Sequence, residues 1–392
     1  MKILLVHNSY QQPGGEDVVF NLERQLLEGA GHEVSTYCRS NWEASNLSPF
    51  ARVTLLKGFV WADDSRREMV ELLQRTKPEL VHIHNTFFMM SPSIYSACQE
   101  MNVPVVQTLH NYRLLCPAAT LYRDGHVCEE CLDHGVWRGV YHGCYRDSRL
   151  TTAATALMLE FHRQRGTWNN LVRRYVALTQ FARQKFIQGG LPADRIRVKP
   201  NFVRDPGVRT GGGDYGLFVG RLTEDKGVLS MAKAWGQLKQ EIPLRIAGDG
   251  PLRAQLEIEI GRSNQSLVSL LGQISHDEIL AAMKQARFLV FPSEWYEGFP
   301  MTIAEAFGCG LPVICPALGS MQEIVDDGRT GLHFRPCDAD DLGRKVEWAW
   351  SHPADLERMG RQARAEYEDH YTSEHNYAAL MDIYQEAITA SA

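Results

Sequence analysis

Residues 292–316 read PSEWYEGFPMTIAEAFGCGLPVICP, and the run Arg287-Phe-Leu-Val-Phe291 leads into them. That run is apolar and short, the pattern of a buried parallel strand. A loop with Gly298 and Pro300 follows, and Pro300 stands where a proline suits a first helical turn, so a helix is predicted over Met301–Phe307. Gly308 and Gly310 close it, and Leu311–Cys315 is the next strand. The unit is strand, loop, helix, strand, and it holds two carboxylates, Glu297 and Glu305, with seven residues between them.

The free N–H groups at the start of such a helix favour an anion such as phosphate. Carboxylates beside a phosphate site accept hydrogen bonds from hydroxyls, because they repel the phosphate itself. A ligand carrying both groups is a nucleotide or a sugar phosphate. On spacing alone, the alternative that both glutamates are solvated helix-end charges stays open.

With 392 residues the chain can form two domains with full cores. It contains no run of 18 apolar residues that would span a membrane. The opening MKILLVHNSY reads as a first strand without a cleavage site, so no signal peptide and a cytoplasmic location are expected. Nine cysteines in such a chain argue against a disulfide framework. The net charge of −6 is unevenly divided: residues 1–201 hold 23 basic and 19 acidic residues, the rest 18 and 28. An anionic surface would therefore meet the first half, and nothing amounts to a nucleic-acid footprint.

Strands are predicted at Met1–Asn8, Glu33–Cys38, Leu80–His84, Val103–Leu109, Tyr175–Leu178 and Arg195–Pro200, with helices between them. The turn at Gln12-Pro-Gly-Gly15 brings backbone close to a ligand through Gly14 and Gly15, and Glu16 enters the following helix. No G-x-G-x-x-G follows the strand, which excludes a dinucleotide fingerprint there. Residues Arg204–Asp214 are Gly- and Pro-rich and read as a linker. Strands restart at Tyr215–Val219, Leu244–Ala247, Val268–Leu271, Phe288–Phe291, Pro312–Ile314 and Gly331–Phe334. The expected fold is α/β, with two Rossmann-like domains facing each other across a cleft. The domains are 1–201 with a Cys-rich insertion at 111–149, then 202–371, with a final helix 372–392 as a candidate to cross back onto the first.

The first strand of the second domain ends in Gly220-Arg-Leu-Thr-Glu-Asp-Lys-Gly227, where Arg221 and Lys226 supply the two cations a diphosphate needs. Another strand ends in Ile246-Ala-Gly-Asp-Gly-Pro251. Taken in order, PGGE, GRLTEDKG, AGDGP, LGQIS, PSEWYEGFPMTIAEA and EIVDDGRTG resemble the successive motifs of retaining GT-B glycosyltransferases of family 4. The resemblance covers nearly the whole chain.

It implies a nucleotide-sugar donor and these roles. Arg221 and Lys226, with Gly220, Gly248, Asp249 and Gly250 around them, would hold the diphosphate. Glu297, followed by Gly298, Phe299, Pro300, Met301 and Thr302, would meet the donor sugar hydroxyls, and Glu305 the ribose. Gly14, Gly15 and Glu16 would lie near the donor. His110 matches the family histidine beside the transferred sugar, although Asn111 follows it where the family often has aspartate. His110, Arg221, Lys226 and Glu297 form the expected catalytic set. Asp338-Ala-Asp340 looks like a metal-binding D-x-D but is placed to cap a helix, so no catalytic metal is expected.

In the insertion, Cys116, Cys128, Cys131 and Cys144 have the types and central C-x2-C spacing of a structural zinc site. Redox-active or free thiols remain the alternative, as does a ligand drawn from His126, His134 or His142. The stretch Phe50–Trp61 is cationic and aromatic, readable as a membrane-interface piece or as a buried helix. The basic stretch Phe161–Tyr175 is either a further attraction to anionic lipid or a solvated helix face. The leading expectation is transfer of a sugar from a UDP- or GDP-sugar to a glycan, with a lipid-linked one foremost, in bacterial surface polysaccharide biosynthesis at the inner membrane face. Transfer to a small soluble acceptor, of the sucrose- or trehalose-synthase type, is the alternative within enzymes. A non-catalytic zinc-containing binding module is the alternative outside them.

Overall fold

The computed structural model describes residues 1–11, 14–43, 58–262 and 267–390. It forms two units: the first is Met1–Leu121, Cys128–Pro200 and Asn376–Ala392, the second Tyr122–Val127 and Asn201–His375. Most of the stretch Phe50–Trp61 lies outside the described residues.

The first unit carries strands β1 (Lys2–Ser9), β2 (Glu33–Ser40), β3 (Leu80–Asn85) and β4 (Val105–Leu109). A small antiparallel hairpin, β5 (Tyr122–Arg123) and β6 (His126–Val127), is counted with the second unit, and β7 (Arg174–Ala177) and β8 (Ile196–Val198) complete the first. The sheet is parallel throughout, in the order β2-β1-β3-β4-β7-β8. β4 begins two residues later than the pattern implied, because Pro104 has no N–H for the ladder and contributes only its carbonyl, to Val81. Strand order reverses between β1 and β3, so the loops leaving those strands splay apart and open a crevice at their carboxyl ends.

The second unit repeats the plan with β9 (Gly216–Val219), β10 (Leu244–Ala247), β11 (Val268–Gly272), β12 (Phe288–Val290), β13 (Val313–Pro316) and β14 (Gly331–Phe334). Its order is β11-β10-β9-β12-β13-β14, again all parallel, and it reverses between β9 and β12. The two loops that leave this switch point are Gly220–Gly227 and Pro292–Pro300, the stretches singled out above. Both halves are Rossmann-like, the two-sheet plan of the GT-B fold.

Ile3, Leu5, Leu80, Val106 and Val176 from the first sheet are buried against Leu380, Ile383, Tyr384 and Ala387 of the helix Ser373–Thr389. That helix is thus part of the first unit's core from Asn376 onward. Phe218, Leu244, Ile246, Phe288, Val290 and Ile314 pack with Trp235, Leu342 and Val346 in the second. The described end of the 50–61 stretch is core material: Phe59 is buried against Phe87 and Phe88, and Trp61 stacks on His162. The Gly- and Pro-rich segment after Asn201 is pinned rather than loose. Asp205 receives both Arg364 Nη1 and Nη2, at 2.7 and 2.9 Å, and Arg209 donates to Ala286 O at 2.8 Å. Among the described residues no helix is long and apolar enough to cross a membrane.

Candidate functional site

In the second unit the helix Met301–Gly308 starts at Pro300 and stops at a glycine in the left-handed region, Gly310 with φ of 70°. Gly310 N–H bonds Phe307 O at 2.9 Å and Leu311 N–H bonds Ala306 O at 2.8 Å, a Schellman closure that turns the chain directly into β13. The helix is short, and its N-terminus stays at the sheet's carboxyl edge.

Beside it, Glu297 is almost wholly buried, and its Oε1 accepts three bonds: from Lys226 Nζ at 2.6 Å, Ser293 Oγ at 2.7 Å and Trp295 Nε1 at 2.8 Å. Ser320 Oγ fixes the Glu297 carbonyl at 2.7 Å. The loop Gly220–Gly227 is stitched to both neighbours. Leu222 N–H reaches Asp249 O at 3.0 Å, and Glu294 N–H reaches Asp225 O at 2.8 Å. Arg221 is exposed at the start of that loop and Lys226 half-buried at its end. These close approaches explain the glycines: a Cβ on Gly248 would lie 1.8 Å from Gly220 O, and one on Gly227 would lie 2.1 Å from Pro292 O. Glu305 sits in the first helical turns. Burial pushes its carboxyl up to about 7. His276 Nδ1, at the start of the helix after β11, is 3.8 Å from Glu305 Oε1.

In the first unit, Glu16 lies in the first turn of the helix Gly15–Gly29. It accepts from Asn85 Nδ2 at 2.8 Å and Asn111 Nδ2 at 3.1 Å. Burial, then the neighbouring Asp17 charge, pushes Glu16 up to about 8, so it holds its proton near neutrality. The departure Asn111 therefore has a structural use, as a donor to Glu16. Gly14 caps the same helix with extended backbone and its N–H bonds Asp17 Oδ2 at 2.7 Å. His110, directly after β4, shares a cavity with His84, Asn85, Thr108, Asn111 and Arg113. Burial is the main cause that lowers its pKa to about 3, so His110 is neutral.

The sequence pattern placed the glutamates, cations and His110 at strand ends, and the structure brings Lys226 to Glu297 and Glu16 to Asn111. It did not reveal Ser293, Trp295 and Ser320, the residues that hold Glu297. Trp295 and Ser293 stand within four residues of Glu297, which was the one available signal. Nor did it reveal the polar core behind His110.

Asp338 caps the helix Ala339–Ser351, accepting from Asp341 N–H at 2.8 Å. In the insertion no disulfide joins the cysteines. The Cys131 thiol is hydrogen-bonded to Cys116, which lowers the Cys116 pKa to about 6 and raises that of Cys131, and Cys144 lies close enough to act on Cys131. Two sulfurs sharing a proton are a fitting start for a thiophilic metal, which replaces that proton. Among the described residues, however, the group of three ligand atoms within 4.8 Å of one another is Glu23, His82 and His84, not the four sulfurs.

Two parallel Rossmann-like sheets, each with loops leaving a switch point at its carboxyl edge, define the GT-B fold. Residues 13–205 match the family described as Glycosyltransferase Family 4, and residues 204–366 that described as Glycosyl transferases group 1. Each half of the chain thus matches a glycosyltransferase family model. Over 136 residues it is 38% identical to an uncharacterized glycosyltransferase of Methanocaldococcus jannaschii, covering 34% of this chain and 38% of that protein. Over 207 residues it is 28% identical to the D-rhamnosyltransferase WbpZ of Pseudomonas aeruginosa, covering 52% of each. The aligned stretches thus span well under two thirds of these relatives. Among solved structures, sucrose-phosphate synthase of Thermosynechococcus elongatus superposes with a TM-score of 0.72 at 18% identity over 100% of both chains. Anabaena HepE in complex with UDP gives 0.70 at 17% identity, over 98% of this chain and 100% of that one.

Proposed function

We propose that this glycosyltransferase moves a sugar, with retention, from a UDP- or GDP-sugar to a glycan acceptor in bacterial surface polysaccharide biosynthesis. The observation that carries the reading is the convergence of Lys226, Glu297 and the Met301 helix start at the β9/β12 switch point, with the desolvated Glu305 one turn into that helix. Arg221 and Lys226 bind the diphosphate, and the Met301 helix N-terminus adds partial positive charge. As the sugar–phosphate bond breaks, negative charge grows on the diphosphate. Each preorganised donor is then worth roughly 3 kcal/mol in the transition state. Glu297 takes sugar hydroxyls and Glu305 the ribose hydroxyls. Gly14, Gly15 and Glu16 serve the donor, and His110 accepts from a sugar hydroxyl. The complexes of HepE with UDP support a nucleotide donor, and a relative named O-antigen chain mannosyltransferase C, of Escherichia coli, supports a polysaccharide setting.

The same reading includes a lipid-linked acceptor met at the inner face of a membrane, a structural zinc on Cys116, Cys128, Cys131 and Cys144, and turnover without a metal. Zinc there would fasten the insertion and take no part in transfer. Donor hydrolysis measured over a panel of UDP- and GDP-sugars tests the assignment, with Arg221→Ala and Lys226→Ala expected to lose turnover sharply. Unchanged turnover in both variants would sink it. Metal analysis of protein purified without chelator should find one zinc per chain.

A further inference from the structure

Behind His110 the first unit buries four ionisable side chains that the donor chemistry does not use. Lys199, just after β8, places Nζ 2.7 Å from Glu23 Oε1, and neither side chain has any solvent exposure. Glu23 Oε2 lies 3.5 Å from His84 Nε2 and 3.7 Å from His82 Nδ1. His82 has both nitrogens engaged, Nδ1 with the Tyr384 hydroxyl at 2.7 Å and Nε2 with Thr108 Oγ1 at 2.8 Å. His84 Nδ1 is 3.0 Å from His110 Nε2, and the two rings stack with centroids 5.2 Å apart. A second pair, His7 and Asp17 at 2.9 Å, flanks the group.

Glu23, His82 and His84 are close enough to hold a cation, but the charge balance argues against one. Lys199 already neutralises Glu23, so a divalent ion would leave two uncompensated positive charges in a dry core. Protons fill the site instead, and the buried anion sets their direction. Among the described residues neither Glu23 Oε2 nor His84 Nε2 has a hydrogen-bond partner; at 3.5 Å a carboxylate attracts a hydrogen and repels a lone pair, so the His84 nitrogen facing it carries the hydrogen. Burial, with the neighbouring His82, holds His84 well below its ordinary pKa, so the ring is neutral and has one N–H. Its Nδ1 is then bare and accepts from His110 Nε2–H. The reverse arrangement would aim a lone pair at the carboxylate.

We propose that Glu23 and His84 are positioning residues that hold His110 as its neutral Nε2–H tautomer, with Nδ1 left to accept a hydrogen bond from a substrate hydroxyl. The identity of that hydroxyl rests on the glycosyltransferase reading; the proton arrangement does not. His110 lines its cavity as an acceptor, not as a proton donor, and the Lys199–Glu23 pair is the fixed charge that keeps it so.

Long-range 15N–1H correlation spectra of the full chain labelled at histidine test this, with the His110 ring identified by its loss in His110→Asn. A single Nε2–H ring, unchanged from pH 6 to 8, is expected. In His84→Leu, and in Glu23→Gln/Lys199→Met, which removes both charges and so avoids an orphaned buried ion, His110 should populate both tautomers. In those variants kcat should fall by about tenfold while the donor KM holds within about twofold. An Nδ1–H ring in the native protein, or a single unchanged tautomer in both folded variants, overturns the proposal. A locked Nε2–H ring in a protein that turns over no nucleotide-sugar would overturn the functional reading and leave the lock standing.

Discussion

The Lys226 ammonium lies 2.6 Å from Glu297 Oε1, so the cation assigned to the diphosphate and the carboxylate assigned to the sugar are joined to each other. If Lys226 binds a diphosphate as proposed, the diphosphate competes with Glu297 for it, and the oxygen released keeps only its bonds from Ser293 and Trp295. Donor binding would thereby be linked to freeing Glu297 for the sugar hydroxyls. If the pair acts as one unit, Lys226→Ala and Glu297→Gln each lower kcat/KM for donor turnover by roughly a hundredfold or more. The double variant should then fall no further than the worse single one. Steady-state kinetics on the four proteins checks this; strictly additive losses would show that the two residues work apart.

Glu305 gives a pH dependence with a definite sign. Its folded pKa of about 7 lies above the ordinary 4.5, so its contribution to stability is full below about 4.5 and is lost as pH rises through about 7. If Glu305 takes the ribose hydroxyls as proposed, they donate to its ionised carboxylate, and a bound nucleotide favours the deprotonated form. Affinity for a nucleotide-sugar, whose diphosphate diester does not titrate here, should rise from pH 6 to 8. The rise should disappear in Glu305→Gln, whose stability should also fall less across the same range. Calorimetric titration at several pH values measures the first effect, and denaturant unfolding the second.

Much of this was legible because local signals agreed with the global fold. Strand–helix alternation, glycines at forced approaches and a proline at a helix start placed the elements of the 292–316 unit to within two residues. Glu305 on its helix and Arg221 and Lys226 in their loop followed from that. Side-chain partners across elements were not legible, since nothing in one sequence says that Ser293 and Trp295 aim at the oxygen Lys226 holds. The helix Gly15–Gly29 shows the same limit. Glu23 reads there as one more charge on an amphipathic surface helix, and only Lys199, 176 residues away, makes it a core residue. The insertion has no strong periodicity, so its cysteine spacing predicted a cluster whose sulfurs are only partly gathered.

Glu23 and Lys199 should couple strongly in stability. Removing one partner leaves an unpaired buried charge, so Glu23→Gln or Lys199→Met alone should destabilise by about 3–5 kcal/mol. The double variant exchanges the ion pair for neutral groups of similar volume and should recover most of that loss. Urea unfolding of the three variants beside the native protein gives the cycle. Two single losses that simply add in the double would mean that the pair contributes nothing as a pair.

Three glycines separate backbone necessity from tolerance in the second unit. Gly248 has φ of 146° and Gly227 has φ of 63°, and a methyl at either would meet a carbonyl oxygen at 1.8 or 2.1 Å. In each the clash is with backbone of a neighbouring site loop, which cannot turn away as a side chain can. Gly248→Ala and Gly227→Ala should therefore destabilise by more than about 3 kcal/mol and displace the loop that carries Arg221 and Lys226. Gly261, inside the helix Arg253–Arg262, has nothing among the described residues within 4 Å of such a methyl. There alanine gains helix propensity, and Gly261→Ala should stabilise by up to about 1 kcal/mol with donor turnover unchanged. Thermal unfolding with donor-hydrolysis assays on the three proteins decides it. Native stability and turnover in Gly248→Ala would show that the loop carrying Arg221 and Lys226 is not held by this approach.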